Sequence, residues 1–160
     1  MAVKIEVQTT ANTKLLKDFD RIAKTPPQFV KVGYIEDVKM NRRKTVVTNA
    51  MVAHVQEHGS KNIPPRPFLL PALKSQAKEA EARIRQGLAR EWIEPGSTAI
   101  GLGQAGTLIR DRAKKNIVDS VGMQPLAQST LKARERIGFE GTKPLIHTAQ
   151  LLNAITYVVK

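Results

Sequence analysis

The chain contains no cysteine among its 160 residues. That absence excludes a disulfide framework, a thiolate zinc site, an iron–sulfur cluster and a cysteine nucleophile. Aromatic residues make up only 4% of the chain, which argues against a surface of stacking platforms for single-stranded nucleic acid. No run of 18 apolar residues occurs, and the first residues lack the apolar region of a signal peptide. We therefore expect neither a membrane span nor export by that route.

Positive charge is what the sequence has in excess. Lys and Arg number 26 against 14 Asp and Glu, which gives a formal net charge of +12 and an isoelectric point near 10.2. A charge of this size favours a polyanionic partner, with nucleic acid as the first candidate. Hydrophobic residues make up 41% of the chain, enough for a core in a chain of this length. The sequence predicts a single domain spanning residues 1–160.

Strands are predicted near both ends of the chain. Apolar residues alternate with polar ones at 3–7, and residues 29–35 are rich in β-prone types. A helix that Asn12 can cap is expected between these strands, ending at Pro26-Pro27. Residues 155–159 predict a last strand, paired within the chain or with a neighbouring protomer. Residues 36–47, which contain Arg42, Arg43 and Lys44, are expected to form a mobile basic loop or a hairpin.

Apolar residues at helical spacing predict two long helices in the middle of the chain. The first is expected after Pro71 and before the break at Pro95-Gly96, and the second from about Thr98 to Val121. The apolar stripe of the first consists of Leu73, Ala77, Ala80, Ile84, Leu88 and Trp92. The stripe of the second consists of Ile109, Ala113, Ile117 and Val121.

Shorter helices are expected on either side of the long pair. One begins at Asn49 as its cap and ends at Gly59, and another covers residues 125–137. The residues between Gly59 and the first long helix include Pro64, Pro65 and Pro67, which require an extended backbone. The fold class predicted is α+β, with a small, mostly antiparallel sheet packed with two long helices and shorter helices.

Two short stretches match sequence motifs of cofactor-binding or catalytic sites. Residues 101–106 match G-x-G-x-x-G, but no parallel strand precedes them, so a closely packed or flexible helix start is the better interpretation. His54, Glu57 and His58 match the H-x-x-E-H pattern of zinc hydrolases. Because Gly59 ends that helix and no third ligand is evident, we predict that the triplet serves a helix end. No catalytic, cofactor-binding or metal-binding residue is therefore predicted.

Basic side chains on the second long helix are the candidate DNA-facing group. They form either a solvated helix face or a surface that binds phosphates, and the net charge of the chain favours the phosphate-binding surface. The candidates are Arg110, Arg112, Lys114 and Lys115, together with Arg42, Arg43 and Lys44 of the basic loop.

Three stretches together resemble a known family. Residues 48–59 and 63–69 (IPPRPFL) resemble its A…E-x-G…I-P-x-R-P-F segment, and PLAQSTLKAR at 125–134 is similar to P-L-S-x-x-T-L-x-x-R. KPLIHTAQLLNAITY at 143–157 is similar to K-P-L-I-x-T-G-x-L-x-x-S-I-T-Y, with Ala149 and Ala154 standing where glycine and serine are usual. The family is that of tailed-phage virion morphogenesis proteins, the tail-completion and neck proteins of the Mu and P2 type, related to the HK97 neck-protein group.

The resemblance implies a structural virion protein at the head–tail junction rather than an enzyme. Such a protein forms a homo-oligomeric ring around the DNA passage, contacts other tail and head-connector proteins, and is assembled in the host cytoplasm. Packaged double-stranded DNA is a further candidate partner. Two other functions stay open: a sequence-independent nucleic-acid-binding domain and, less favoured, a zinc-dependent hydrolase. The candidate assembly residues are Arg66, Phe68, Ile155 and Tyr157. Arg66, held between two prolines, is expected to bind a carboxylate, either on a neighbouring protomer or, in the favoured version, within its own protomer.

Overall fold

The computed structural model describes residues 17–160 apart from 19, 22, 25, 27, 36–38, 43, 44, 121, 147 and 148; at 39–42, 45 and 46 it describes the backbone alone. The elements in chain order are β1 Val30–Gly33, β2 Lys39–Arg42, β3 Thr45–Thr48, α1 Asn49–His58, α2 Leu69–Arg90, α3 Ser97–Asp119, α4 Gln128–Glu135, α5 Gln150–Asn153 and β4 Thr156–Val159. Helical backbone also occurs within 17–24. The predicted α+β class, with two long helices and a small antiparallel sheet, is confirmed. The predicted strand at 3–7 and the cap Asn12 lie outside the described residues.

The two long helices pack antiparallel as a helical hairpin, and their backbones come into contact at glycines. A Cβ atom on Gly101 of α3 would lie 2.6 Å from the carbonyl oxygen of Arg83, and one on Gly87 of α2 would lie 2.5 Å from that of Ser97. No side chain larger than hydrogen fits at such distances. The first glycine of the G-x-G-x-x-G match is therefore a helix-packing residue inside α3, and the motif is not a flexible helix start.

The buried face of α2 differs from the predicted stripe. Ala80 of the predicted stripe is buried, and Ile84 is half-buried against the cluster that contains it. The other four, Leu73, Ala77, Leu88 and Trp92, are exposed, and Ala72 and Gly87 are buried instead. The close approach at Gly87 turns this face toward α3, so helical spacing alone placed only part of the stripe correctly. The helix also begins at Leu69 rather than after Pro71, because a proline in the first turn lacks only an N–H that has no partner within the helix.

The terminal strand β4 pairs with β1 within the protomer, which confirms one of the two predicted pairings. The strands are antiparallel, with Val30 opposite Val159 and Gly33 opposite Thr156. This two-stranded sheet packs on α3 at Gly106, where a Cβ atom would lie 2.7 Å from Cδ2 of Tyr157 and 2.9 Å from Cγ2 of Val30. The third glycine of the motif therefore lets the sheet approach the helix closely.

The basic segment forms a hairpin, the second of the two predicted alternatives. β2 and β3 pair antiparallel, with Lys39 opposite Thr48 and Arg42 opposite Thr45. Arg43 and Lys44 lie outside the described residues, and only the backbone of Arg42 is described.

Two smaller boundaries also differ from the predictions. The N-cap of α1 is Thr48, whose hydroxyl accepts a hydrogen bond from the Met51 amide at 3.2 Å, while Asn49 is the first helical residue. Asn49 is buried, and both polar atoms of its amide lack a hydrogen-bond partner. Helix α4 is shorter than predicted because Ala127 is extended, with φ −62° and ψ 148°, so the helix begins only after it.

The main hydrophobic core joins the start of α2, the second half of α3 and the C-terminal segment. Its buried members are Ala53, Phe68, Ala72, Ala113, Ile117, Leu151 and Ile155. A smaller cluster of Ala80, Ala105 and Ile109 lies between α2, α3 and β1. Three of the four residues predicted for the α3 stripe are therefore buried, and the fourth, Val121, lies outside the described residues.

Alanine at two glycines of α3 is expected to change stability in opposite directions. At Gly103 a Cβ atom has its nearest neighbour 3.9 Å away, so Gly103→Ala should stabilise the protein by about 0.5–1 kcal/mol through helix propensity. At Gly106 the Cβ atom would collide with Tyr157 and Val30, so Gly106→Ala should destabilise it by about 1–3 kcal/mol. Urea unfolding of both variants measures the difference; the same sign for both would contradict the packing described.

Candidate functional site

The carboxylate of Glu57 caps the N-terminus of α2. Its Oε2 accepts hydrogen bonds from the amides of Phe68 at 2.9 Å and Leu69 at 3.0 Å, and its Oε1 accepts one from Leu70 at 2.8 Å. The first N–H groups of a helix have no partner within it, and its positive dipole end attracts a carboxylate. Glu57 therefore holds α1 against the start of α2.

This contact gives the H-x-x-E-H triplet a structural role. The carboxylate that would activate water in a hydrolase is already bonded to three backbone amides. The rings of His54 and His58 lie 4.5 Å apart on an exposed face, and Nδ1 of His58 lies 3.1 Å from the carbonyl oxygen of His54. Within the described part of the chain, no three His, Asp or Glu side chains meet as metal ligands. Gly59 ends the helix with φ 79°, as predicted.

Removal of the Glu57 carboxylate is expected to destabilise the fold. Glu57→Ala leaves three amides at the start of α2 without their acceptor, which should cost about 2 kcal/mol and lower Tm by roughly 4–8 °C. Glu79→Ala, which removes an exposed ion pair with Arg83, is the matched control and should cost less than about 0.5 kcal/mol. If Glu57→Ala and Glu79→Ala lowered Tm equally in thermal denaturation, the cap would contribute no more to stability than an exposed ion pair.

Glu91 performs the same task for the second long helix. Its two carboxylate oxygens accept hydrogen bonds from the amides of Gly96 at 2.9 Å and Thr98 at 2.8 Å. The bond from Gly96, then that from Thr98, lowers the pKa of Glu91 below its ordinary value, with a smaller contribution from the charge of Arg21. Each long helix is thus capped by a glutamate that precedes it, Glu57 in α1 and Glu91 immediately after α2.

Arg66 is an internal anchor whose partners differ from the expected carboxylate. The side chain is buried, with 7% of its surface exposed. Nε donates to the carbonyl oxygen of Gln124 at 3.0 Å, Nη2 to that of Pro125 at 3.3 Å, and Nη1 to Oε1 of Gln56 at 3.4 Å. The predicted intramolecular role of Arg66 is confirmed, but the prediction that its partner is a carboxylate is wrong. The planar guanidinium can bind several neutral oxygens at once, so the anchor needs no acidic residue.

A second buried arginine joins α4 to the loop that follows it. Nη1 of Arg134 donates to the carbonyl oxygens of Gly141 at 2.7 Å and Lys143 at 3.0 Å. Its Cζ lies 5.2 Å from the ring centroid of Phe139, and burial lowers its pKa. Sequence reasoning treated Arg134 only as part of a charged run, although R is the last letter of the second family-like stretch.

The candidate DNA-facing residues of α3 do not share one face. With 3.6 residues per turn, Arg110 and Lys114 lie on one flank of the helix and Arg112 and Lys115 on another. Arg110 bonds Asp111 at 2.8 Å, and its Cζ lies 5.4 Å from the ring centroid of Tyr157. Nε of Arg112 is buried without a hydrogen-bond partner. One protomer therefore presents no continuous row of these four charges.

The other assembly candidates occupy two kinds of environment. Phe68 and Ile155 are each 1% exposed, so their side chains offer no surface to a neighbouring protomer. Tyr157 is half-buried and borders an open trough on α3. Tyr34, which sequence reasoning missed, donates its hydroxyl to the carbonyl oxygen of Leu151 at 2.9 Å. Burial, and to a lesser extent the charge of Glu57, raises the pKa of Tyr34.

Comparison with known protein families, curated proteins and solved structures finds no match for this chain. None of the described helices is long and apolar enough to cross a membrane.

Proposed function

We propose that this chain is a non-enzymatic structural protein of a tailed-phage virion, placed at the head–tail junction. In this proposal it forms a homo-oligomeric ring around the DNA passage and contacts tail and head-connector proteins. The proposal depends on the three family-like stretches of the sequence. The observation that supports it best is that residues of these three stretches are one another's contact partners.

Each pair of stretches is connected. Arg66 of the first binds the carbonyl oxygen of Pro125 in the second, and Arg134 of the second binds that of Lys143 in the third. Phe68 of the first and Ile155 of the third belong to one buried cluster. The three family-like stretches are therefore parts of one structural unit around the main core, as the resemblance implies.

The backbone at Ala149 supports the same interpretation. The family pattern has glycine at this position, and Ala149 has φ 54° and ψ 4°, in the left-handed region immediately before α5. Glycine adopts this conformation at little cost, whereas alanine does so rarely. The position where glycine is usual in the family pattern is thus one where this backbone also favours it.

Restoring glycine at Ala149 is expected to stabilise the protein. Relief of the left-handed strain should outweigh the greater freedom of the unfolded chain, so Ala149→Gly should raise the free energy of unfolding by about 1 kcal/mol. Ala154→Gly, in a right-handed helical backbone with φ −77°, is the control and should lower stability. Urea titration of both variants checks this; a destabilised Ala149→Gly would contradict the left-handed assignment.

The location in the virion is testable directly. Fab fragments raised against the purified chain, added to particles from the phage that encodes it, should appear by electron microscopy as a collar where the tail meets the head. Particles made without the chain should show filled heads separate from tails. Label on the tail tip or capsid surface, or normal particles without the chain, would reject the proposal.

A second candidate function is sequence-independent binding of duplex DNA, which the net charge of +12 favours. Binding through phosphates releases counterions, so affinity should fall steeply with salt and vary little with sequence. Since Arg110 and Arg112 lie on different flanks of α3, binding should be weak for one protomer and stronger for an assembly. Fluorescence anisotropy measures the affinity for two duplexes of unrelated sequence over a range of salt concentrations. The Lys114→Glu/Lys115→Glu variant, which reverses two of the candidate DNA-facing charges, is measured beside the wild type. Affinity independent of salt would reject it.

A further inference from the structure

Two histidines of α1 have no role in the contacts described above, because Glu57 alone of their motif caps α2. His54 and His58 are four residues apart, a spacing that places both side chains on one face of a helix. Both are exposed, and their ring centroids lie 4.5 Å apart with 34° between the ring planes. Two imidazole rings therefore stand side by side in solvent at the end of this helix.

The backbone orients one of the two rings. Nδ1 of His58 lies 3.1 Å from the carbonyl oxygen of His54. A carbonyl oxygen can only accept a hydrogen bond, so the proton of the neutral ring is on Nδ1 and the lone pair is on Nε2. Histidines that bind metal ions are commonly held in this way, with the other ring nitrogen donating to a backbone carbonyl or a carboxylate. His58 thus has the tautomer that a metal ligand needs.

We propose that His54 and His58 form a chelating site for a divalent transition-metal ion, with copper(II) bound more tightly than nickel(II) or zinc(II). Imidazole nitrogen suits all three ions, and the affinity of a given site for first-row divalent metals reaches its maximum at copper. In the part of the chain that the structure describes, no third His, Asp or Glu joins the pair, so water completes the coordination. The sequence predicted no metal-binding residue because a hydrolase needs a third ligand and a free carboxylate, whereas a non-catalytic chelate needs neither.

The position of the pair on α1 also favours a cation. His58 is the last residue of the helix, where the unpaired carbonyl groups form the negative end of the helix dipole. Lys61 follows three residues later, but it is exposed, so solvent and salt screen its charge. Because the two rings are already adjacent, binding an ion restricts few additional side-chain rotations. The helix end and the arrangement of the rings therefore act in the same direction.

Titration calorimetry of the full chain with copper(II) sulfate tests the site, with glycine present as a weak competing chelator. His54→Ala and His58→Ala should each weaken copper binding by at least about ten-fold, since a chelate needs both rings. His147→Ala, which removes the third and last histidine of the sequence, is the matched control and should bind as wild type does. Wild-type affinity in His54→Ala or His58→Ala, or an equal loss in His147→Ala, would overturn the proposal.

The number of coordinated rings and the choice of metal provide a second test. Pulsed electron paramagnetic resonance of the copper(II) complex should detect two coordinated imidazoles in wild type and one in His54→Ala. Magnesium(II), which prefers oxygen ligands, should not compete with copper, whereas an excess of nickel(II) should. A single imidazole in the wild-type complex, or competition by magnesium as strong as that by nickel, would overturn the chelate.

The chelate does not depend on the proposed function, because neither histidine contributes to the contacts that join the three family-like stretches. Fab label at the head–tail junction together with no copper binding at the pair would reject the chelate alone. Copper binding that requires both histidines, in a chain that no Fab detects at the junction, would establish the chelate and reject the virion role.

Discussion

Phe68→Ala is expected to lower the free energy of unfolding of the isolated chain by about 3–5 kcal/mol. The side chain is 1% exposed and lies at the centre of the main core, with its ring 6.5 Å from that of Tyr34 in an edge-to-face arrangement. Removing it leaves a cavity in the cluster that contains Ile117 and Leu151, and a core relaxes only partly into such a cavity. Since most domains of this size are stable by about 5–15 kcal/mol, this loss is a large fraction of the total stability.

The comparison that decides this prediction is with Leu70→Ala. Leu70 lies two residues further along and is 44% exposed, so its removal should cost less than about 1 kcal/mol. Should Phe68→Ala fail to fold, Phe68→Leu retains most of the buried volume and should lose roughly 1–2 kcal/mol in guanidinium unfolding. A Phe68→Ala chain as stable as wild type that fails only in assembly would instead return Phe68 to the assembly residues.

Arg66→Ala is expected to cost about 3–4 kcal/mol. The buried guanidinium satisfies the carbonyl oxygens of Gln124 and Pro125 and the amide oxygen of Gln56. Its loss leaves these acceptors without their donor, and the segment between α3 and α4 loses its attachment to the residues before α2. Proteolysis should therefore cleave the variant near Pro125 faster than wild type.

Arg66→Lys separates geometry from charge. Lysine retains the positive charge but cannot present the planar fork, so it should recover less than about half of the lost free energy. Arg85→Ala is the matched control, because Arg85 is exposed and pairs only with Glu81 four residues earlier; its cost should not exceed about 0.5 kcal/mol. Wild-type stability of Arg66→Lys in chemical denaturation would show that charge alone suffices.

The sequence by itself determined the elements that depend on neighbouring residues. The Pro95-Gly96 break, the stripe of Ile109, Ala113 and Ile117, and the glycine after His58 placed the long helices and the end of α1 to within a few residues. Residues 155–159 predicted the last strand for the same reason. Local backbone preferences and side-chain periodicity act over one or two turns, so the sequence alone is enough to predict the elements that depend on them.

Only the tertiary structure decided which faces and which polar partners those elements use. The buried side of α2 follows from contact at Gly87 and Gly101, which lie on different helices, so helical spacing found Ala80 and Ile84 but wrongly included Leu73 and Leu88. The carboxylate of Glu57 is committed to amides 11 to 13 residues away, and the guanidinium of Arg66 to carbonyl oxygens 58 and 59 residues away. A periodic pattern records that a residue is apolar or charged, but its partner is chosen by the packing of elements far apart in the chain.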